Sequence, residues 1–102
     1  IKIPTQHEDR KSAWHLYVVQ IDFGIVGKSR ANIINKLNKK GIGTQVHYIP
    51  VHLQPYYRNS FRYKEWDYPI AEQYYSCALS LPIYPGMTDK EVGKVIQSIV
   101  DL

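Results

Sequence analysis

The segment TDKEVGKVIQSIVDL, residues 88–102, carries the clearest structural pattern in the chain. Thr88 is followed three residues later by Glu91, which is the spacing of a capping box. In that motif each of the two side chains accepts a hydrogen bond from a free backbone amide of the other residue. Apolar residues then recur at helical spacing and predict a buried face, formed by Val92, Val95, Ile96 and Ile99.

Upstream of this helix, strand-like and helix-like segments alternate. β-branched and aromatic residues predict strands in WHLYVVQIDF (14–23), TQVHYI (44–49) and ALSLPIY (78–84). Two further helices are predicted, one near residues 30–40 and one that opens at Asp67 and Pro69. Residues 50–66 contain prolines and many aromatic residues, and they predict an ordered loop.

The two upstream helices have recognisable ends and faces. Ser29 is placed to cap the first helix, and Gly41 is placed to end it. Its apolar stripe comprises Ile33, Ile34 and Leu37. In the second helix one apolar face comprises Ile70, Tyr74 and Cys77.

This alternation predicts an α/β (α+β) two-layer sandwich, in which helices cover one face of a small three-stranded sheet. A chain of 102 residues is long enough for one core, so we expect a single domain over residues 1–102. Residues 1–13 are expected to form a polar lead-in. Since the chain begins at Ile1 rather than methionine, we also expect it to be a piece of a longer protein.

Composition excludes several classes of protein. A hydrophobic content of 44% and a charged content of 22% are typical of a folded globular domain. The thirteen lysines and arginines are scattered and the net charge is only +4, which argues against a nucleic-acid-binding surface. No segment has the apolar length of a membrane span. The single cysteine, Cys77, suits a reducing compartment, so we expect a cytoplasmic protein.

Three features resemble a phosphate-binding loop, a metal site and a catalytic cysteine, but each has a simpler structural interpretation. DFGIVGKS (22–29) imitates a phosphate-binding loop, but Asp22 stands where that pattern requires glycine, so we predict a turn followed by a helix cap. His47 and His52 are too few to hold a metal ion, which needs three or four ligands, and we predict no metal site. Cys77 lies among apolar neighbours, which favours packing over nucleophilic catalysis.

The segment GIGTQVHYIPVHLQPYY, residues 41–57, contains two histidines, two prolines and three tyrosines, more functional side chains than a strand and loop require. In an extended strand, His47 would face the side of the sheet that the helices leave uncovered. Stiff loops with aromatic and cationic groups suit an anionic ligand that contains a ring. For Tyr56 and Tyr57 an aromatic cluster under the loop is an equally good interpretation. The candidate ligand-binding residues here are His47, His52, Tyr56, Tyr57 and Arg58.

Two longer segments resemble a known family. KGIGTQVHYIPVHLQPYYR (40–58) and PIAEQYYSCALSLPIYPGMTDKEVGKVIQSI (69–99) are similar to the C-terminal end of the DegT-type (DegT/DnrJ/StrS) nucleotide-sugar aminotransferases. The similarity runs from about Trp14 to the end. It implies a parent enzyme that uses pyridoxal phosphate to aminate a keto-sugar nucleotide in polysaccharide or deoxyaminosugar biosynthesis.

The resemblance also implies an architecture and a site. The chain would be the small C-terminal domain of a fold-type I aminotransferase, beside a missing large domain and in a homodimer. His47 and Tyr48 match the VHY motif of the family and would face the sugar nucleotide and its phosphates. Pro50 and His52 match the proline and second histidine that follow. With Arg58, the expected substrate-binding residues are His47, Tyr48, His52 and Arg58.

The resemblance does not extend to the catalytic groups. Pyridoxal-phosphate chemistry needs a lysine that binds the cofactor, an aspartate that pairs with its ring nitrogen, and a phosphate cup. In the family these lie upstream, and the nine lysines of this chain lie on predicted helices or in polar turns. We therefore expect no catalytic residue here and no cofactor bound by this chain alone. The alternative is a stand-alone regulatory or ligand-binding module with the same fold.

Overall fold

Two strands, five α-helices and one 3₁₀ turn make up the computed structural model, which describes all 102 residues. None of these helices has the length and apolar character needed to cross a lipid bilayer. The 3₁₀ turn spans Val51–Leu53. In chain order the elements are β1 (Tyr17–Gln20), α1 (Phe23–Val26), α2 (Arg30–Lys39), α3 (Pro55–Phe61), α4 (Pro69–Cys77), β2 (Ala78–Leu81) and α5 (Asp89–Val100).

The sheet consists of β1 and β2, paired antiparallel from Tyr17 opposite Leu81 to Gln20 opposite Ala78. A single bridge flanks each strand on its outer edge, Lys2 to Gln20 beside β1 and Gln45 to Ser80 beside β2. The polar lead-in is therefore attached to the sheet at Lys2.

The third strand expected at residues 44–49 is not formed, because only Gln45 pairs with β2. Beyond Gln45 the backbone leaves the ladder, and the next contact with β2 is made by the side chain of His47. Pro50, which has no amide donor, closes off any further pairing. The other two strands are shorter than predicted: Trp14 has a left-handed φ of 46° before β1, and Pro82 follows β2.

The core lies on one face of this sheet. Val19 and Leu79 are directly opposite each other and project to the same side. α2 and α5 pack over them and cover this face of the sheet. The fully enclosed cluster comprises Val19, Ile21, Ile33, Leu37, Ile42, Leu79, Val95 and Ile99.

α2 has the predicted ends and stripe. The Ser29 hydroxyl accepts a hydrogen bond from the Asn32 amide at 3.2 Å. Gly41 follows the helix with a φ of 73°, a left-handed conformation in which glycine is favoured. Ile33 and Leu37 are buried, and Ile34 packs at the edge of the core.

α5 has the predicted capping box but a narrower buried face. The Thr88 amide donates to Glu91 Oε2 at 2.8 Å, and the Glu91 amide donates to Thr88 Oγ1 at 3.3 Å. Val95, Ser98 and Ile99 are buried, whereas Val92 is 38% and Ile96 58% exposed. The prediction that Val92 and Ile96 are buried was wrong, since a sheet of two strands is too narrow to cover the whole apolar stripe.

Two segments between these elements are more helical than predicted. α1 is a one-turn helix, capped by Asp22 Oδ1, which accepts from the Ile25 amide at 3.0 Å. Residues 50–66 are not a loop throughout, because Pro55 begins α3 at a position where proline is favoured. Within α3, Tyr57 and Phe61 are one turn apart and stack at 6.0 Å between ring centroids.

α4 begins at Pro69 as predicted, but its apolar face is open to solvent. Ile70 is 85% and Tyr74 42% exposed, and Cys77 is half-buried. The buried residue of this helix is Glu72.

The two isoleucines of α5 provide a matched test of the buried face. Ile99→Ala should lower the free energy of unfolding by about 2–5 kcal/mol, because it opens a cavity in the core. Thr88→Ala should cost about 1 kcal/mol through loss of the cap. Ile96→Ala, on the exposed side of the same helix, should cost less than Ile99→Ala in urea denaturation. A larger loss for Ile96→Ala would contradict the orientation of α5.

Candidate functional site

An open cleft of about 670 Å³ lies between the chain that follows Gln45 and the start of α4. His47 and Tyr48 form one side of it, and Tyr68, Ile70 and Tyr74 form an apolar opposite side. Most of these side chains are accessible, and Tyr48 is 72% exposed. The cleft therefore combines hydrogen-bonding groups with flat aromatic surface.

His47 is fixed to the sheet from the side opposite the core. Its Nδ1 atom lies 2.8 Å from the hydroxyl of Ser80 on β2. Ser80 pairs with Val18, and both alternate with the core pair Val19 and Leu79, so they project to the other face. The His47 ring also meets the Tyr48 ring edge-on at 4.6 Å between centroids. His47 therefore lies on the side of the sheet opposite the core, as predicted, although the strand from which this was argued does not form and Ser80 on this face is buried.

His52 occupies a different environment. It is buried, and its Nε2 atom lies 2.8 Å from Oε1 of Glu72 on α4. The same carboxylate oxygen accepts a hydrogen bond from the Trp66 amide at 2.6 Å. Glu72 therefore connects the 3₁₀ turn, the loop before α4 and α4 itself.

The protonation of Glu72 follows from these contacts. Burial alone would raise the pKa of this carboxyl group, since it disfavours the charged form. The hydrogen bonds from His52 and from the Trp66 amide stabilise the carboxylate and outweigh burial, so the pKa of Glu72 lies below its ordinary value. The acceptor in the His52–Glu72 hydrogen bond is therefore a negatively charged carboxylate.

Aromatic rings surround the His52–Glu72 pair. The Tyr68 ring lies 4.7 Å from that of His52, and Tyr63 meets Tyr68 at 5.7 Å. Phe61 stacks on Tyr63 at 6.0 Å and links it to Tyr57. Tyr57 thus belongs to an aromatic cluster under the loop, which is one of the two interpretations left open by the sequence.

The four residues predicted to bind substrate are distributed over three places. His47 and Tyr48 share the 670 Å³ cleft, while His52 lines a neighbouring cavity of about 370 Å³. Arg58 is exposed on α3 and lines neither cavity. The two cavities have a common wall, formed by Pro50, Tyr68 and Ala71.

Sequence reasoning missed Glu72, Tyr68 and Ser80. Glu72 lies in the PIAE segment, where a carboxylate in the first helical turn suggests only a favourable interaction with the helix dipole. Ser80 lies in a strand pattern that is otherwise apolar, and a lone polar residue at such a position was the available signal. Their partners are 20 and 33 residues away, a distance that local patterns do not reveal.

The lysines of the chain lie at its surface. All nine are exposed except Lys36, which is half-buried. Lys36 Nζ donates to the Asp101 carbonyl at 2.9 Å, and Lys28 donates to the Leu102 carbonyl. No group of three or more histidine, cysteine, aspartate or glutamate side chains is arranged to hold a metal ion. We therefore assign no step of cofactor chemistry to these residues.

Comparison with known proteins identifies the family. The model of the DegT/DnrJ/EryC1/StrS aminotransferase family matches residues 1–100. The chain belongs to this family. It is 48% identical over 100 residues to the spore coat polysaccharide biosynthesis protein SpsC of Bacillus subtilis, a match that covers 97% of this chain and 26% of SpsC.

Solved aminotransferases of this type share the fold. DesV of S. venezuelae, solved with a ketimine intermediate, superposes with a TM-score of 0.83 and 31% identity, over 98% of this chain and 25% of DesV. Helicobacter pylori PseC, an aminotransferase involved in the biosynthesis of pseudoaminic acid, superposes with a TM-score of 0.78 and 27% identity. That match covers 89% of this chain and 24% of PseC. The chain therefore spans about a quarter of the length of the relatives that it matches.

The pKa of Glu72 predicts how stability depends on pH. The folded-state pKa lies below the ordinary value of 4.5, so the unfolded chain binds more protons between these two values. The stabilisation from this carboxylate is complete above pH 4.5 and should be lost as the pH falls through the folded-state pKa. Urea midpoints measured from pH 7 down to pH 3 should fall less steeply for Glu72→Gln than for wild type.

Glu65→Gln removes an exposed carboxylate from the same loop and is the matched control. It should reproduce the wild-type pH profile. An unchanged profile for Glu72→Gln would show that the carboxylate is not held as described.

Proposed function

We propose that this chain is the C-terminal small domain of a pyridoxal-phosphate-dependent aminotransferase that aminates a keto-sugar nucleotide. The observation that carries the proposal is the family match over residues 1–100, in a chain that spans a quarter of its relatives. The described roles of SpsC in polysaccharide biosynthesis and of PseC in pseudoaminic acid biosynthesis support a sugar substrate. The domain would contribute one wall of the substrate site.

The cleft beside His47 has the chemistry for such a substrate. With Nδ1 engaged by Ser80, Nε2 of His47 is the ring nitrogen left for a ligand, and the hydroxyl group of the exposed Tyr48 is a second donor. Both groups suit phosphate oxygens. The aromatic rings of Tyr68 and Tyr74 offer flat surfaces against which a sugar or base can pack.

We propose different roles for the two remaining predicted residues. His52 is engaged by Glu72 and packs against Tyr68, so it would act on the substrate through the shape of the shared wall. Arg58 is exposed on α3 and its side chain makes no hydrogen bond in the structure, so its guanidinium group would be free to meet a phosphate.

The cofactor and its lysine would be held by the part of the parent enzyme upstream of this chain. The family depends on pyridoxal phosphate, which when bound carries the amino group between donor and keto-sugar. The exposed apolar residues Tyr48, Ile70 and Ile96 support docking against a large domain, since such surface is rarely left in water. We further propose a homodimeric parent that acts in the cytoplasm, the latter supported by the single cysteine.

The coding sequence upstream of Ile1 tests the domain assignment directly. The proposal requires several hundred further codons in frame, including a lysine in a cofactor-binding segment. A stop codon followed by a start codon immediately before Ile1 would favour the stand-alone binding module instead.

His47→Ala tests the substrate cleft in the full-length protein. Loss of one polar contact to a charged group costs about 1.5–3 kcal/mol, so the affinity for the bound sugar nucleotide should fall about 10- to 150-fold. A panel of UDP-, dTDP- and GDP-linked hexoses, titrated calorimetrically, provides the measurement. Pyridoxal-phosphate content, read from absorbance, should not change.

His7→Ala alters an exposed histidine in the lead-in and is the control for this substitution. It should bind the panel as the wild type does. Wild-type affinity in His47→Ala, or no binding of any sugar nucleotide by the wild type, would contradict the proposed function.

The 102-residue chain by itself should neither retain pyridoxal phosphate nor transaminate, because its lysines are solvated and lack a phosphate cup. The chain would be incubated with the cofactor, desalted and scanned for the absorbance band of a lysine-bound cofactor. A stoichiometric band that reduction and mass spectrometry assign to one lysine would refute the domain assignment.

A further inference from the structure

Ser80 ties the substrate cleft to the sheet through His47. The two side chains meet at 2.8 Å, and neither makes any other hydrogen bond in the structure. We infer that Ser80 is a positioning residue, which fixes the His47 ring and keeps its proton on Nε2, available to a bound ligand. The inference rests on the proposed role of His47 in substrate binding.

Ser80 has a neighbouring segment on each side of its strand and exchanges both backbone hydrogen bonds with one of them. It pairs with Val18 of β1, and on the other edge its amide donates to the Gln45 carbonyl at 2.8 Å while the Gln45 amide donates back at 3.2 Å. The residue is only 4% exposed. Its hydroxyl therefore projects from one of the most constrained backbone positions in the domain, which makes it a fixed anchor for a side chain that lies outside regular structure.

The direction of the Ser80–His47 hydrogen bond follows from counting donors. If Nδ1 carried the proton, the buried Ser80 hydroxyl would need a second acceptor for its own proton, and the structure offers none. If the hydroxyl donates to Nδ1, its proton is paired, and the ring proton on Nε2 is left for the open cleft that His47 lines. Buried donors are rarely left unpaired, so the second arrangement is favoured. The ring proton of neutral His47 then lies on Nε2.

This arrangement gives the cleft a constant hydrogen-bond donor. Nε2 carries a proton in the neutral ring and in the charged ring alike, so it donates to a phosphate oxygen in either state. The Tyr48 ring, edge-on to the imidazole at 4.6 Å, further limits rotation of His47. Without Ser80 the ring would be free to turn and to exchange its proton between the two nitrogens.

The first experiment measures the contact without any ligand. Diethyl pyrocarbonate acylates an unprotonated imidazole nitrogen, and a hydrogen-bonded nitrogen reacts slowly. In the full-length protein, His47 should react severalfold faster in Ser80→Ala than in wild type, whereas Ser80→Thr, which keeps the hydroxyl, should resemble wild type. Reaction rates come from peptide mass spectrometry, with the exposed His7 as internal reference.

Ser98→Ala is the matched control for this experiment. Ser98 is also buried, at 5% exposure, but its hydroxyl contacts Lys40 on the core side of the domain. Loss of this serine should leave the His47 rate unchanged. Equal His47 rates in wild type and Ser80→Ala would overturn the inference.

The second experiment asks whether Ser80 acts through His47. Loss of one neutral hydrogen bond predicts that Ser80→Ala weakens binding of the sugar-nucleotide panel by about 2- to 10-fold. In the His47→Ala background the same substitution should have no further effect. An equal loss in both backgrounds would overturn the inference.

The two experiments separate this inference from the proposed function. If His47→Ala binds the panel as tightly as wild type, the proposed function fails. The acylation rates then still decide whether Ser80 positions His47.

Discussion

The pairing of β1 with β2 is the constraint on which the rest of the domain depends. Its register sets Val19 opposite Leu79 and Val18 opposite Ser80, and strand geometry sends these two pairs to opposite faces. One face then carries the core beneath α2 and α5. The other carries the contact that holds His47 at the cleft. A shift of one residue would exchange the faces, burying Ser80 in the core and removing the anchor of His47.

Glu72 plays a corresponding part in the region without strands. Between Pro50 and Pro69 the chain has no sheet to pair with, and its 3₁₀ turn and α3 are held to α4 by one carboxylate and a group of aromatic rings. A charged acceptor with two donors is costly to bury, and here the surrounding aromatic side chains exclude water while His52 and the Trp66 amide compensate the charge. The position of Tyr68, and with it the wall of the cleft, follows from that anchor.

The sequence predicted what local chemistry determines. The caps at Ser29 and Thr88, the glycine at position 41 and the start of α4 at Pro69 all depend on neighbours within four residues, and the structure has each of them. The missing third strand and the exposure of Ile96 depend instead on how wide the sheet is, which no local pattern specifies. α3 could have been anticipated from Pro55, had the aromatic residues around it not suggested a loop.

The residues of the candidate site also fall into those that local sequence predicts and those that it does not. His47 and Tyr48 could be named from the sequence because their motif is contiguous, whereas Glu72 and Ser80 could not, because each meets its partner only after the chain has folded back. The side of the sheet on which His47 lies was predicted from alternation in a strand that does not form. Its contact with Ser80 could not be predicted, since that requires knowing which residue of β2 lies beside it.

The wall shared by the two cavities has a consequence for altering selectivity. Pro50, Tyr68 and Ala71 each present one side to the cleft and the other to the cavity of His52. A change of side-chain volume in the cavity of His52 would move this wall and reshape the cleft without introducing any new group into the cleft. Substitutions that line the His52 cavity could therefore change which ligands fit the cleft, while the hydrogen-bonding groups of the cleft stay the same.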